Sequence, residues 1–430
     1  MSSGLATRAH HADGATGGEP YAPYRLRAEM NGISEAPGKV WFFELAAAVV
    51  DSDRCVRCGA CVAACPTDSI GVGPEDLPRL VKMCTGCSLC WDFCPRGGLA
   101  YETTWHGAVP SDAGPRATER AGEAEGPGLG TVVSVHSARV RAGEPERAAR
   151  AQDGGVVTAL LLAALDAGEI DGALVARADG SSMLRAEAHV ATTREEILQS
   201  AGSFYNQTMA LAALDLDRVD LGGSARIALV GTPCAIQGIR ALRSREWPRG
   251  RSRVERVVLT VALFCSKSFD HRRLVLEELR DARGVDPSRI GRVDVAHGRL
   301  LVFDLGGAPL VDEPVSAFRG AALPGCDECA DFTGRAADLS VGSVGSPDGW
   351  SSVIVRTDAG ERALRRAAPS LEIGPVVSPA DIERLDRRNR RVAESGLRRP
   401  LDPSGPMFLA FTGHVAAYEG TDRAPVWRGR

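Results

Sequence analysis

Forty residues, Cys55 to Cys94, hold eight of the twelve cysteines in this chain of 430 residues. No other stretch limits the fold so tightly. The cysteines fall in two matching halves, Cys55, Cys58, Cys61, Cys65-Pro66 and Cys84, Cys87, Cys90, Cys94-Pro95, each spaced C-x2-C-x2-C-x3-C-P. Three thiolates spaced by two residues can wrap one iron–sulfur cubane, and the fourth, on a short helix, points at the neighbouring one. Cys55, Cys58, Cys61 and Cys94 are therefore expected to hold one [4Fe-4S] cluster, and Cys84, Cys87, Cys90 and Cys65 the other. Proline after each fourth cysteine turns the chain out of helix, while Gly59 and Gly86 let backbone approach inorganic sulfide. Paired zinc knuckles want two ligand pairs a dozen or more residues apart, which is not this spacing.

The run is that of a two-cluster ferredoxin, so residues 41–105 read as an α+β, ferredoxin-like electron-transfer domain. Net charge is −4 with mixed signs, so no basic field argues for nucleic acid. Just three of the 51 Lys and Arg residues are lysine (Lys39, Lys82, Lys267), a bias that fits a GC-rich bacterial genome better than a basic binding surface. The longest apolar runs, such as Val156–Leu165 and Val257–Cys265, are about ten residues, whereas a membrane span needs about twenty. No leader-like apolar segment opens the chain. Clustered thiolates belong in a reducing compartment, so a soluble cytoplasmic protein is expected.

Residues 1–40 are small and polar and read as disordered. Trp41–Val50 is apolar and leads into the cluster domain as a strand or helix. Residues 106–130 carry Gly, Pro, Ala and Glu without period and read as a flexible linker, from which the rest of the chain is expected to be separable. From Thr131 to about residue 400 the pattern is α/β, followed by a tail at 401–430. Strands are expected at Thr131–Val140, Gly172–Ala178, Arg226–Gly231, Val257–Cys265, Leu339–Gly342 and Ser352–Arg356. Helices are expected at Gly155–Gly168, at Thr193–Ala201 behind a threonine cap, at Ala235–Leu242 and at Asp270–Arg283.

The remaining cysteines all lie in this second domain: Cys234 and Cys265 at strand ends, and the pair Cys326-x2-Cys329. Strand ends of an α/β sheet are where ligands gather. Spacing alone leaves three readings open: a further [4Fe-4S] cluster, a zinc site, or two ordinary core cysteines beside a loop pair. Two glycine-rich loops stand out, Gln152-Asp153-Gly154-Gly155 before a helix and Gly342–Trp350 between strands. The first is a usable phosphate cradle. No G-x-G-x-x-G stands between a strand and a helix, so a Rossmann nicotinamide site is not indicated. Trp350 reads as core filling or as a flavin-stacking ring.

The segments AQDGGVVTALLLAALDAGEIDGALV (151–175), SAGSFYNQ (200–207), VGTPCAIQGIRAL (230–242), LFCSKSF (263–269) and CDECADFTGRAADLSVGSVGSPDGWSSVIVRT (326–357) resemble the beta subunits of coenzyme F420-reducing hydrogenase and its relatives. The likeness covers most of 150–360, and a ferredoxin stretch is a common N-terminal attachment in that family. The resemblance implies an α/β flavin-binding domain that holds FAD and a [4Fe-4S] cluster and exchanges hydride with coenzyme F420. It implies a third cluster on Cys234, Cys265, Cys326 and Cys329. It further implies flavin or deazaflavin walls at Asp153, Gly154, Gly155, Thr158, Gly202, Ser203, Phe204, Asn206, Thr232, Ser343, Gly345, Ser346, Pro347, Gly349 and Trp350. Relatives often carry Glu where this chain has Lys267, and one branch of the family acts on chlorophyll derivatives.

A deazaflavin moves two electrons at once as hydride and a cluster moves one, so a flavin between them would convert one currency to the other. The expected activity is electron exchange between F420 and a one-electron carrier, ferredoxin or a redox partner subunit, by way of FAD and the clusters. Two rivals stand beside it. One is a ferredoxin-driven reductase of a tetrapyrrole or other organic substrate; the other is a non-catalytic electron-relay subunit.

Overall fold

The apolar runs after residue 130 assemble into one eight-stranded mixed sheet, β13-β3-β12-β11-β7-β6-β4-β5. Its strands are β3 (Ser134–Val140), β4 (Gly172–Ala178), β5 (Ala186–Ala191), β6 (Ile227–Gly231), β7 (Val257–Leu263), β11 (Leu339–Gly342), β12 (Ser351–Val355) and β13 (Leu371–Ile373). The inner four, β11, β7, β6 and β4, run parallel. The outer strands β5, β12, β3 and β13 pair antiparallel with their neighbours. The structure is a computed structural model and describes residues 41–96, 129–144 and 151–397, apart from 52, 181–183, 216–220, 222, 245 and 375–377. The expectations for residues 1–40, 106–128 and 401–430 fall outside the described residues.

Successive strand residues point to opposite faces, and the core divides by that parity. Ala173 and Val175 of β4 and Ala228 of β6 pack with α4 (Val156–Asp166), α5 (Arg194–Gln199) and α7 (Asp358–Ala367). Leu174, Ile227 and Leu229 face the other way, onto α6 (Pro233–Arg243). Thr193 caps α5 as expected and closes a full capping box with Glu196. A last helix, α8 (Pro379–Leu397), adds Ile382 to a smaller cluster with Leu129, Phe332 and Ile354. Among the described residues no helix is long and apolar enough to cross a membrane.

Elements missing from the sequence reading are β5, α7, β13, α8 and a small antiparallel sheet, β10-β9-β8. That sheet comprises β8 (Ile290–Ala296), β9 (Arg299–Asp304) and β10 (Pro309–Pro314), and it packs against the helix Arg272–Asp281 through Leu274, Leu279, Val293 and Leu300. The expected helix at Asp270–Arg283 is present but has the wider π hydrogen-bonding pattern.

The cluster domain is α+β, as expected. Helix α1 (Phe42–Leu45) runs into a π turn at Ala46–Val50, α2 (Ala60–Ala64) and α3 (Leu89–Asp92) carry cysteines, and β1 (Ile70–Val72) pairs with β2 (Pro78–Leu80). Separability is not what the structure shows. Val56, Ala60, Ala63, Ala64, Leu89 and Phe93 share one buried cluster with Leu211, Leu214, Ile236, Ile239, Leu242 and Trp247 of the second domain. The Phe93 and Trp247 rings pack against each other tilted at 50°, with centroids 5.8 Å apart. Across the same junction Arg253 donates to the carbonyls of Ala63 and Cys65 and to Asp68. The physical reason is that α2 is built of alanines, whose small side chains let α6 lie close enough to complete one core.

Arg54 forms a two-pronged pair with Glu328 at 3.0 Å, both side chains under a tenth exposed. Breaking a buried pair from one side strands a charge, at about 3–5 kcal/mol. Arg54→Met is therefore expected to lower the thermal midpoint of the holoprotein by on the order of ten degrees. The double variant Arg54→Met/Glu328→Gln should recover most of that loss in the same calorimetric scan. An unchanged midpoint in the single variant would mean that the pair does not hold the domains together.

Candidate iron–sulfur and rim site

Backbone geometry explains how each half of the cluster domain gathers its sulfurs. Arg57 and Gly86 occupy the same place in their halves, and both have positive φ, 54° and 68°. Gly59 and Ser88 form a second matched pair, at 86° and 68°. The turn aims Arg57 N–H at Cys55 Sγ and Gly86 N–H at Cys84 Sγ, both at 3.4 Å. Gly59 also has a role not visible in the motif: a Cβ there would sit 2.5 Å from the Ala212 backbone nitrogen. Glycine at 59 thus admits the second domain as well as the cluster.

The crossed grouping appears in the geometry. Cys55, Cys58, Cys61 and Cys94 line one cavity, and Cys65, Cys84, Cys87 and Cys90 line the other. Burial pushes the Cys55 thiol up to about 12 and those of Cys58, Cys61 and Cys90 well above the usual range, with neighbouring cysteines adding to it. Buried sulfurs packed this way become thiolates only beside compensating positive charge, which cluster iron supplies. Each quartet surrounds its own cavity. Cys65→Ser is expected to damage the cluster at Cys84, Cys87 and Cys90 and spare the one at Cys55, Cys58 and Cys61. Electron paramagnetic resonance of the reduced variant checks this, and the opposite pattern would refute crossed ligation.

The four remaining cysteines converge at the carboxyl end of the parallel strands. Cys234 is the second residue of α6, directly behind β6, and Cys265 lies two residues past the adjacent β7. Cys326 and Cys329 come from the 3-10 turn Pro324–Glu328 and the residue closing it. Burial raises Cys234 to about 11, Cys326 to about 12 and Cys265 well above its usual range, with neighbouring cysteines of the set adding to each. Thr232 Oγ1 lies 3.1 Å from Cys234 Sγ and Ser268 Oγ 3.8 Å from Cys265 Sγ. Gln207 Nε2 donates to both hydroxyls, at 3.2 and 2.7 Å. Lys267 pairs with Asp327 and so ties the two cysteine loops together.

This inner set abuts the cluster domain. Cys234 Sγ is 3.9 Å from the Val56 carbonyl, and a Cβ on Gly325 would meet the Arg54 carbonyl oxygen at 2.4 Å. Arg96, directly behind Cys94-Pro95, is buried and bonds Gln237 Oε1 at 3.4 Å. Its positive charge acts on both Cys234 and Cys326. Sequence reading passed over Gln207, Ser268 and Arg96; the first two lie inside segments it quoted, while Arg96 had only its place after the Cys-Pro signal.

The glycine-rich loops lie at the same rim. Gly154 N–H donates to Ser351 Oγ at 3.1 Å, and a Cβ at Gly154 would come within 2.4 Å of the Ala138 carbonyl oxygen. Gly155, left-handed at φ 70°, starts α4, with Thr158 in its first turn. Tyr205 connects the 200–207 loop to this one: its hydroxyl accepts from Gln152 Nε2 at 3.2 Å and donates to Asp294 Oδ1 at 3.1 Å. Asp294 belongs to the unforeseen β8, so no sequence signal marked it. Desolvation and the carboxylates of Asp294 and Asp348 push Asp153 up to about 6, with Arg292 opposing. Gly202 and Gly349 each front open space; next to Gly202 in the chain, Ser203 is exposed and Phe204 half-buried.

Other expected wall residues are engaged elsewhere. The Asn206 amide holds both backbone groups of Ala186, at 3.1 and 3.0 Å. Ser346 hydrogen-bonds Ser137 and Ser352, and Trp350 packs against Gly374 with Arg139 over its ring at 4.4 Å. Ser343, Gly345 and Pro347 supply carbonyls to the turns of that loop, bonding Ser346, Ser378 and Trp350.

A ferredoxin-like dicluster domain docked on a mixed α/β sheet, with a further cysteine quartet at the strand ends, defines an iron–sulfur electron-transfer class. Within it, the model for the N-terminal part of the coenzyme F420 hydrogenase/dehydrogenase beta subunit matches residues 137–215, that for its C terminus 224–378, and a 4Fe-4S dicluster domain 48–99. The chain belongs to the coenzyme F420 hydrogenase/dehydrogenase beta-subunit family. It is 34% identical over 280 residues to the coenzyme F420 hydrogenase subunit beta of Methanothermobacter thermautotrophicus, covering 63% of this chain and 95% of that one. Against the coenzyme F420-dependent sulfite reductase of Methanocaldococcus jannaschii it is 29% identical over 360 residues, 78% of this chain but 49% of the reductase, so it spans about half of that protein. A chain of the F420-reducing [NiFe] hydrogenase complex from Methanosarcina barkeri is similar in structure, with a TM-score of 0.57, 31% identity, and 62% and 91% of the two chains covered.

Proposed function

We propose that this chain is an oxidoreductase exchanging electrons between coenzyme F420 and a one-electron carrier or partner subunit, through FAD at the rim, an inner [4Fe-4S] cluster and the two clusters of the N-terminal domain. The observation that carries it is the inner quartet. Cys234, Cys265, Cys326 and Cys329 converge at the strand ends, and Cys234 lies against the Cys55–Cys58 loop. A route thus runs from rim to cluster domain without crossing a gap.

Bound flavin would take or give a hydride and pass its electrons on singly to iron–sulfur clusters. The residues present suit that pair of groups. Gln152–Gly155 sets backbone amides at the start of α4, where an anionic diphosphate is stabilised. Gly154 admits no side chain, and Gly202 and Gly349 leave room for a flat ring or a second substrate. Thr232 and Ser268 place hydroxyls beside the inner sulfurs, held by Gln207; hydrogen bonds to cluster sulfur are one lever on its potential. Arg96 adds a fixed positive charge at the junction.

Anaerobic purification with flavin and iron counts, followed by an F420 assay with methyl viologen as acceptor, tests the reading. Bleaching of the deazaflavin band in one direction, or its appearance in the other, is the expected result. Silence from protein carrying its full flavin and iron would overturn it.

A further inference from the structure

We infer that Gln207 is a positioning residue for the inner cysteine quartet, aiming the Thr232 and Ser268 hydroxyls at Cys234 and Cys265 and thereby raising the reduction potential there. The inference rests on the inner cluster of the proposed function and adds the group that orients its surroundings.

Gln207 sits where two loops meet. Asn206 pairs in parallel with Phe269, and Phe269 N–H donates to the Tyr205 carbonyl at 2.8 Å. That pairing brings Gln207 beside Ser268, and both are buried, at 7% and 4% exposure. Thr232 comes from the turn between β6 and α6, at the N-cap position of the helix. A threonine there ordinarily turns its hydroxyl onto a backbone N–H of the first helical turn. Thr232 does not, since its side chain makes no capping hydrogen bond. It faces Gln207 and Cys234 instead, at 3.2 and 3.1 Å. A cap forgone at the start of a buried helix marks a hydroxyl held for another task.

Hydrogen counting gives the direction. Gln207 Nε2 carries two hydrogens, and Thr232 Oγ1 at 3.2 Å and Ser268 Oγ at 2.7 Å take one each. Each hydroxyl then has its own single hydrogen to donate elsewhere. For Thr232 the acceptors in reach are Cys234 Sγ at 3.1 Å and Gln207 Oε1 at 3.4 Å. The sulfur is nearer and, as a cluster ligand, negatively charged, so it is the stronger acceptor. For Ser268 the acceptor is Cys265 Sγ at 3.8 Å, and its backbone N–H points at Cys326. One buried amide thus directs donors to two sulfurs of the quartet. Donors on ligand sulfur favour the more negative, reduced state and so raise the potential.

The test is a dye-mediated redox titration of the reconstituted holoprotein, followed by electron paramagnetic resonance. The inner signal is the one that Cys326→Ser/Cys329→Ser removes. Thr232→Val/Ser268→Ala should lower its midpoint so that the reduced-to-oxidised ratio at a fixed potential falls at least about tenfold, or about 59 mV for one electron. Gln207→Leu should lower that ratio about threefold in the wild-type background and leave it unchanged in the Thr232→Val/Ser268→Ala background. Thr232→Ser, which keeps the hydroxyl, should hold the wild-type midpoint. Signals of the eight-cysteine domain should stay in place in every variant. A Gln207→Leu midpoint equal to wild type would overturn the inference. So would a higher one, which would mean that the amide oxygen draws the hydroxyls off the sulfurs. An equal drop in both backgrounds would also overturn it, because Gln207 would then act otherwise than through the hydroxyls. A fully reconstituted wild type with about eight irons and no inner signal would instead strike the inner cluster of the proposed function, and this inference with it.

Discussion

Cut at Leu129, the chain is expected to lose its folded state instead of surviving as a flavin-binding fragment. Six large side chains, Leu211, Leu214, Ile236, Ile239, Leu242 and Trp247, are buried in a cluster that Val56, Ala60, Ala63, Ala64, Leu89 and Phe93 complete. At half the full transfer value each, exposing them costs roughly 5–9 kcal/mol. A domain's whole stability is about 5–15 kcal/mol. Charges are stranded at the same time: Glu328 loses Arg54, Asp270 loses Arg57, and buried Arg253 loses Asp68 and two carbonyls. Either loss would be serious, and together they exceed what the sheet can absorb. Expression of residues 129–430 should give insoluble or molten material by circular dichroism and size exclusion. A soluble monomer with one cooperative unfolding transition would show that the sheet holds itself together.

That outcome runs against the sequence, and the reason is physical. The cysteine spacing encodes local geometry, because each C-x2-C turn must wrap one cluster whatever lies beyond it. Both quartets of the cluster domain and the strand-end placement of Cys234 and Cys265 were legible for this reason. Docking has no such local mark. Arg54 and Glu328 are 274 residues apart, and the alanines of α2 read as helix formers until α6 is seen lying on them. Likewise α7 offers only Ala363, Leu364 and Ala367, besides Gly360, to the core along an arginine-rich helix, too thin an apolar stripe to stand out. The rim was half legible. The glycine loops lie where strand-end logic puts them, but Tyr205 acquires its role from Asp294, and Asp294 from a small sheet whose short strands carried no clear period.

Replacing Cys326 and Cys329 together by serine is expected to reduce iron from about twelve to about eight per chain in carefully reconstituted protein. Both thiols come from one turn whose neighbours are fixed independently: Leu323 N–H on the Ser268 carbonyl at 2.9 Å, Glu328 on Arg54 and Asp327 on Lys267. The turn should therefore stay in place without its sulfurs, and the loss should be of ligands and not of fold. Cys234 and Cys265 alone give two thiolates, too few for a cubane that takes four. The eight-cysteine domain should keep its resonance spectrum, because none of its ligands has changed. Bound flavin should still be reduced by F420 and then reoxidise slowly, since the inner cluster that would link the rim to the cluster domain would be missing. Stopped-flow absorbance with methyl viologen as final acceptor separates the two phases. A wild-type count of about eight irons, with the serine variant reoxidising its flavin at the normal rate, would remove the inner cluster from the electron path and leave direct transfer between flavin and the Cys55–Cys58 loop as the route.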